Sequence, residues 1–235
     1  MRKIKVLDLF CGAGGAATGY FQGFSEAGFN VEITGVDIHA QPRYPFTFHQ
    51  GDALEYFDKY GHQFDFLHAS PLCQQHSILK AVTAKEYACF IQATRSRFKA
   101  SGKPYCIENV VGAPLEFPVT LCGLNFEIPM HGHRLFECRP IILSPSPCHT
   151  NLRTQKCGRK PEETRLLARP AGHFSGLDVY RQAMGVPWMN RDEIAQCIPP
   201  AFTEWIAGQM LNYLDFNHEL QTDLSGLQST QSKAA

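Results

Sequence analysis

The feature that most constrains the fold is an alternation of short apolar runs with helical stretches. Five runs read as β-strands, several of them bounded by Gly, Asp or Pro: Ile4–Phe10, Val31–Val36, Phe46–His49, Phe64–His68 and Tyr105–Ile107. Helices are predicted at Ala16–Ala27, Thr83–Ala100 and Pro200–Leu214. Because strands and helices alternate, we predict an α/β fold with a doubly wound, mainly parallel sheet that binds ligands at the carboxyl ends of its strands.

Composition is typical of one large enzyme-like domain. The 235 residues include 22 basic and 22 acidic side chains, so any basic surface that binds nucleic acid must be local. The nine cysteines are widely spread and include no C-x-x-C pair, which indicates a reducing compartment. The N-terminal residues do not read as a signal peptide, and no apolar run is long enough for a membrane span. We therefore expect a cytoplasmic protein, and a monomer, because the apolar positions of helix Pro200–Leu214 suit core packing.

The alternating pattern breaks between residues 139 and 174. A Ser-Pro repeat at 144–147 is followed by a stretch, residues 151–169, that contains six basic residues and only two acidic ones, Glu162 and Glu163. We interpret 139–174 as a loop-rich insert in one domain formed by residues 1–138 and 175–216. Residues 217–235 contain few large apolar side chains and are predicted to be a flexible tail.

Acidic residues lie at the ends of the first three predicted strands: Asp8, Asp37 and Asp52. Residues 8–15 read DLFCGAGG, a glycine turn that lets backbone approach a ligand at a helix N-terminus. The turn lacks the G-x-G-x-x-G order of dinucleotide sites, and Asp8 would repel a pyrophosphate but suit a cationic amino group. Asp37 is placed for two ribose hydroxyls and Asp52 for an exocyclic adenine amine, although each could instead cap the following helix.

This pattern favours a nucleoside ligand without phosphates, of which S-adenosylmethionine is the common case, with Phe10 available to stack on it. The predicted cofactor contacts at these strand ends are Asp8, Phe10, Cys11, Gly12, Gly14, Asp37, Ile38, Asp52 and Ala53.

Four short motifs occur in an order that resembles the cytosine-C5 methyltransferase family. They are residues 8–15, PLCQ at 71–74 with Ser77, ENV at 108–110 and HRLF at 133–136. The resemblance implies an S-adenosylmethionine-dependent, Rossmann-like methyltransferase that methylates C5 of a cytosine flipped out of double-stranded DNA. It implies catalytic roles for Cys73, Glu108 and Arg134, and substrate contacts from Gln74, Ser77 and Asn109.

The chemistry of these side chains agrees with that reaction. C5 of cytosine becomes nucleophilic only after addition at C6, and the thiolate of Cys73 is a soft nucleophile suited to that addition. By the resemblance, Glu108 would hydrogen-bond N3 and the exocyclic amine, and Arg134 would hold the base carbonyl and support the deprotonated thiol. Each residue also has a structural alternative: Cys73 could be an inert buried thiol, Glu108 a helix cap and Arg134 an ordinary surface arginine.

The chain also departs from the family pattern. Leu72 replaces the proline that usually precedes the nucleophile, and Arg134 alone survives from a Q-x-R-x-R segment. Gln196 replaces the asparagine of a G-N-x-V-P-P segment near the methionine part of the cofactor, and is predicted to bind it. Residues 139–174 stand where the family has a long target-recognition domain, which predicts a short or lax target sequence. Within this insert, phosphate contacts are assigned to Arg153, Lys156, Arg159 and Lys160, although a solvated loop is the alternative.

Two other functions remain open on the sequence. The neutral net charge and the short insert would suit the same chemistry on RNA or on a free nucleotide. Leu72 and the eroded arginine segment would suit a catalytically weak homologue that only binds nucleic acid or cofactor. A zinc site in the insert is also open, but its candidates match no standard spacing and we assign no metal: Cys138, Cys148, His149, Cys157 and His173.

Overall fold

The computed structural model describes residues 2–71, 84–148, 150–155, 159–162, 165–170, 174–211 and 213–214. Its centre is a seven-stranded sheet in the order β3-β2-β1-β4-β5-β8-β6. The strands are β1 (Lys3–Leu9), β2 (Asn30–Asp37), β3 (Thr47–Gln50), β4 (Phe66–Ala69), β5 (Tyr105–Asn109), β6 (Val119–Cys122) and β8 (His133–Arg139). All five predicted strands are therefore confirmed, with shifts of one or two residues at most of their ends.

The sheet is mainly parallel, as predicted. Strands β3, β2, β1, β4 and β5 pair in parallel, whereas β8 runs antiparallel between β5 and β6. Strand β1 has β2 on one side and β4 on the other, so the chain leaves its carboxyl end in one direction and returns on the opposite side. This switch point opens a crevice at the carboxyl ends, which is where ligands bind in open α/β sheets.

Helices cover both faces of the sheet. They are α1 (Gly15–Glu26), α2 (Ala53–Tyr60), α3 (Ala84–Ser101), α4 (Leu177–Met184), α5 (Arg191–Gln196) and α6, which is helical over residues 200–211 and 213–214. Side chains alternate along β1: Ile4 and Val6 pack in the core beneath α1 and α6, whereas Leu7 and Leu9 pack in a second core with Phe57 of α2 and Phe98 of α3. The three predicted helices are confirmed.

Helix α1 approaches the last part of the chain through a stripe of glycines. A Cβ at Gly15 would lie 2.3 Å from the Ile198 carbonyl oxygen, and one at Gly19 would lie 2.0 Å from the backbone oxygen of Pro200. At Gly23 the corresponding distance, to the backbone oxygen of Glu204, is 2.7 Å. These distances are far shorter than van der Waals contact, so any larger residue would push α1 and α6 apart.

A buried ion pair fixes α3 to the sheet. Arg95 of α3 and Glu137 of β8 are joined by a bidentate contact whose shortest distance is 2.6 Å, and their side chains are 4% and 0% exposed. Glu137 also accepts from the Tyr105 hydroxyl and the Glu116 backbone amide. Both carboxylate oxygens of Glu137 thus accept hydrogen bonds, which is what a buried charge requires.

The insert contributes a small second sheet beside the main one. Strand β9 (Leu167–Ala168) pairs in parallel with β7 (Met130–His131), and Thr154 forms an isolated bridge with Leu166. Within the described ranges, no helix has the length and apolar character that crossing a bilayer requires.

Candidate functional site

A cavity of about 230 Å³ lies at the switch point of the sheet. Its floor is formed by the carboxyl ends of β1, β2 and β5 and by the residues that follow β4, and its far wall by the segment that contains α5. The lining residues that matter most here are Asp8, Phe10, Cys11, Gly12, Asp37, Ile38, Ser70, Pro71, Glu108, Asn109, Arg134, Arg169, Glu193 and Gln196. Most of the predicted cofactor contacts therefore lie in one cavity with Glu108 and Arg134 of the predicted catalytic set.

Asp8 is the most unusual group in the cavity. Its side chain is 1% exposed; Oδ2 accepts a hydrogen bond from the Tyr44 hydroxyl at 3.2 Å, and Oδ1 has no partner. Burial raises the pKa of Asp8 to about 8, the Tyr44 hydrogen bond opposes the rise, and the negative charge of Asp37 adds to it. A buried carboxyl with an unsatisfied oxygen suits a ligand that brings a cationic nitrogen.

The glycine turn brings backbone amides to the cavity. Gly12 and Gly14 have φ values of +48° and +85°, which L side chains rarely adopt, and Phe10 adopts φ +55° at the end of β1. Strain of this kind at a non-glycine residue is typical of functional sites. Gly14 does not line the cavity. A Cβ at this position would lie 2.7 Å from the Pro45 side chain, so a larger residue would clash with Pro45.

Asp37 organises this turn. Its Oδ2 accepts from the Gly12 amide at 3.1 Å and its Oδ1 accepts from the His39 amide at 2.9 Å. Each carboxylate oxygen has a second lone pair, and Asp37 is only half-buried, so the side chain still has acceptor capacity on its cavity side. The predicted contact with ribose hydroxyls is compatible with this geometry.

Glu108 and Arg134 face each other across the paired strands β5 and β8. The Arg134 guanidinium lies 3.0 Å from Oε1 of Glu108, and the two side chains are 11% and 5% exposed. Oε1 of Glu108 nevertheless has no hydrogen-bond partner. The Arg134 nitrogen is therefore close to Oε1 but is not aligned to donate a hydrogen bond to it. The contact is therefore electrostatic and leaves Oε1 able to bind a ligand donor. Arg134 is thus largely shielded from solvent and lies against a buried carboxylate.

Asn109 holds Pro71, which follows β4 by two residues. Its Nδ2 donates to the Pro71 carbonyl at 3.0 Å, and its Oδ1 accepts from the Val110 amide at 2.9 Å. Asn109 is predicted to contact the substrate, and both polar groups of its side chain also hold the cavity wall in place. The predicted residues that come next, Cys73, Gln74 and Ser77, lie outside the described residues, as does Lys156.

A buried histidine supports the same wall from below. The side chain of His68 lies between the Tyr20 hydroxyl at 2.9 Å and Oγ of Ser70 at 3.0 Å. Burial lowers the pKa of His68 to about 3, so the imidazole is neutral at physiological pH. This fixed ring orients Ser70, a cavity residue that the sequence analysis did not single out.

Two contacts hold the far wall, one from the glycine turn and one from the segment between β2 and β3. The indole of Trp188 donates to the Ala13 carbonyl at 2.9 Å, and Arg43 makes a bidentate contact with Glu193, shortest distance 2.8 Å. Gln196, predicted to bind the cofactor, lines the cavity at the end of α5. Arg169 of the insert also lines it, although the sequence analysis counted this residue only as part of the insert's basic charge.

Some predicted residues lie away from the cavity. Asp52 is the N-cap of α2, where Oδ1 accepts from the amides of Leu54 and Glu55, so the capping alternative describes its role. Ala53 is buried in the second core. Neither lines the cavity. Arg153, Arg159 and Lys160 are exposed and also do not line it.

Comparison with solved structures identifies the class of fold. The Entamoeba histolytica methyltransferase EhMeth is similar over 92% of this chain and 99% of its own, with a TM-score of 0.52 and 11% identity. The chain therefore has a Rossmann-like methyltransferase fold, which confirms the predicted fold class.

A second solved structure, human methyltransferase-like protein 13 in complex with SAH, covers 57% of this chain and 71% of its own. Its TM-score of 0.34 and identity of 12% support no inference. Neither the models of known protein families nor the curated proteins gave a match.

Proposed function

We propose that the chain is an S-adenosylmethionine-dependent DNA methyltransferase that acts on C5 of cytosine through Cys73. The observation that carries the proposal is the Glu108–Arg134 pair, 3.0 Å apart, in the same cavity as Asp8 and the glycine turn. A cofactor subsite and an acid–guanidinium pair on adjoining strand ends are the two halves that this reaction needs.

The residues present fit the cofactor. The unpartnered Oδ1 of Asp8 would accept from its cationic amino group, which supplies the charge that this buried carboxyl lacks. Asp37 would accept from ribose hydroxyls, and Phe10 would pack against the adenine. When bound, the cofactor supplies an electrophilic methyl group to the base.

The chain's own residues would prepare the base. Cys73 follows the cavity residue Pro71 by two positions in the sequence. Its thiolate would add to C6 and form an S–C6 bond, while the electron pair of the C5=C6 bond moves through the ring towards N3. Glu108 would give a proton to N3, and Arg134 would offset charge at the base carbonyl.

The remaining steps restore the ring and the thiolate. C5, now nucleophilic, would take the methyl group as the bond between the methyl carbon and the cofactor's sulfur breaks, with S-adenosylhomocysteine as the leaving group. A base would then remove the C5 proton, the C5=C6 bond would reform and the S–C6 bond would break, which returns Cys73 to the thiolate. The proton on N3 returns to Glu108. The net change replaces the C5 proton of cytosine with a methyl group and releases one proton.

A trapping experiment tests the nucleophile and the substrate together. Duplex DNA that contains 5-fluorocytosine holds the adduct, because fluorine at C5 cannot leave as a proton. Wild type and Cys138→Ala, whose thiol is buried outside the cavity, should both form a denaturation-resistant complex with cofactor present. Cys73→Ser should form none.

Parallel assays on structured RNA and on deoxycytidine nucleotides identify the substrate. Methylation of either in preference to duplex DNA would contradict the DNA assignment and keep the chemistry. Cofactor binding without methylation of any cytosine substrate would leave only a binding protein. With DNA, Glu108→Gln should lower turnover by about 10²–10⁴-fold, the usual contribution of a general acid, with cofactor affinity unchanged.

A further inference from the structure

We propose that Cys122, His131, His133 and Cys148 form a structural zinc site at the base of the insert. Each of these four residues offers one ligand atom, and all four ligand atoms lie within 4.8 Å of one another. Two cysteines and two histidines are a donor set that structural zinc uses. The site lies outside the methyltransferase cavity, since none of the four lines it, and it does not depend on the proposed function.

The backbone already places the donors for tetrahedral coordination. Cys122 ends β6 and His133 begins β8, and the two are directly opposed in the strand register. His131 lies on β7, and its ring centroid is 5.0 Å from that of His133. Nε2 of His133 is 3.2 Å from Sγ of Cys148. Zinc–sulfur and zinc–nitrogen bonds of about 2.3 and 2.0 Å place tetrahedral ligand atoms roughly 3.3–3.8 Å apart, so only small side-chain movements are needed.

The surroundings of the Cys122 sulfur suit a metal thiolate. The backbone amide of Asn125 donates to the Cys122 side chain within the 3-10 turn that follows β6. Such amide–sulfur bonds offset thiolate charge and orient the ligand. The same Asn125 donates from Nδ2 to the Ser146 carbonyl at 2.8 Å, which fastens the segment that carries Cys148 to this turn.

Charge also balances at the site. Two thiols would lose their protons to become thiolates, and their two negative charges would neutralise Zn²⁺ bound by two neutral imidazoles. Cys122 is buried and the other three residues are half-buried, so the ion would be shielded but reachable.

The metal would fix both sides of the insert to the catalytic sheet. His133 precedes Arg134, and Gly132 packs against Arg169, with a distance of 3.2 Å from a Cβ at Gly132 to the Cβ of Arg169. Cys148 comes just before the part of the insert that contains the exposed basic residues. Zinc would therefore join strand β8, which carries Arg134, to the segment around Cys148 that leads into these basic residues.

The first test is the metal content and its spectrum. Protein purified without chelators should contain about one zinc ion per chain, and exchange with Co²⁺ should give the d–d bands and thiolate charge-transfer band of a tetrahedral site. Cys148→Ser and His131→Gln should each reduce bound zinc at least tenfold. Cys138→Ala is the matched control, because this cysteine lies on the same strand as His133 but contacts Cys106, and it should retain the zinc.

A second readout measures order in the insert and does not depend on activity. Removing zinc with a chelator should speed tryptic cleavage after Arg153 or Arg159 several-fold in wild type and leave Cys148→Ser, already fast, unchanged. The cobalt spectrum of wild type decides the case if a variant fails to fold. Protein that is free of zinc, gives no tetrahedral cobalt spectrum, or carries a Cys122–Cys148 disulfide when isolated would overturn the proposal.

Discussion

Replacing Asp8 with asparagine should make the free protein more stable, and increasingly so as the pH rises. Asparagine has nearly the same shape as aspartate but stays neutral, so Asp8→Asn removes the charge without opening a cavity. In the folded protein, burial holds the pKa of Asp8 at about 8, against 3.8 in the unfolded chain. Ionised Asp8 is therefore tolerated better by the unfolded state.

The sign and size of the effect follow from proton linkage. Below pH 3.8 the carboxyl is protonated in both states and costs nothing; between 3.8 and about 8 only the unfolded chain has lost the proton. Over that window wild type loses about 1.4 kcal/mol of stability per pH unit relative to the variant, and the loss levels off above about 8. Between pH 5 and pH 7 the advantage of Asp8→Asn should thus grow by roughly 3 kcal/mol.

Urea unfolding of wild type and variant in parallel, at constant ionic strength, measures this difference, because the other titrating groups cancel in it. Asp178→Asn is the control: its side chain is 91% exposed, so no comparable trend is expected. A difference between Asp8→Asn and wild type that stays constant from pH 5 to pH 7 would refute the reasoning, because it would mean that Asp8 is ionised in the folded protein at no cost.

Three further predictions concern binding and packing. Affinity of wild type for S-adenosylmethionine should fall about tenfold per pH unit below pH 8, because Asp8 must lose its proton to accept the amino group; calorimetry that shows no pH dependence would contradict this. Arg95→Met should cost about 3–5 kcal/mol in urea unfolding, since it leaves Glu137 buried and unpaired, whereas adding Glu137→Leu should restore much of that loss. Gly19→Ala should cost about 1–3 kcal/mol, because its Cβ meets α6 backbone at 2.0 Å. Gly208→Ala, where a Cβ meets nothing within 4 Å, should be neutral or stabilising, and equal effects would contradict the packing argument.

The central strands could be predicted because burial on both faces makes most of their residues apolar. Strand β5 is buried at every residue, and β4 likewise, so their sequences stand out from their surroundings. Strand β8 has three half-buried residues before its buried part, and β7 and β9 have only two residues each. Such short or mixed segments have no periodicity to detect, and the sequence analysis placed no element there.

The local signals of the site could be read from the sequence, and its long-range pairings could not. The glycine turn, Asp8 and Asp37 are contiguous with strands, so strand ends predicted their position. Asp52 follows a strand in the same way, but β3 lies at the edge of the sheet and its side chain caps α2 instead. The proposed zinc ligands come from three strands and a loop, and only the fold shows that Cys122 belongs with Cys148.

The glycine stripe on α1 has a consequence for the order in which the protein becomes competent during synthesis. The glycine turn and helix α1 are synthesised before the residues that pack against them. The backbone that contacts Gly15 and Gly19 belongs to residues 198–200. The indole that holds Ala13 is contributed by residue 188. A nascent chain therefore has its glycine turn without these packing partners until residues 188–200 have been translated.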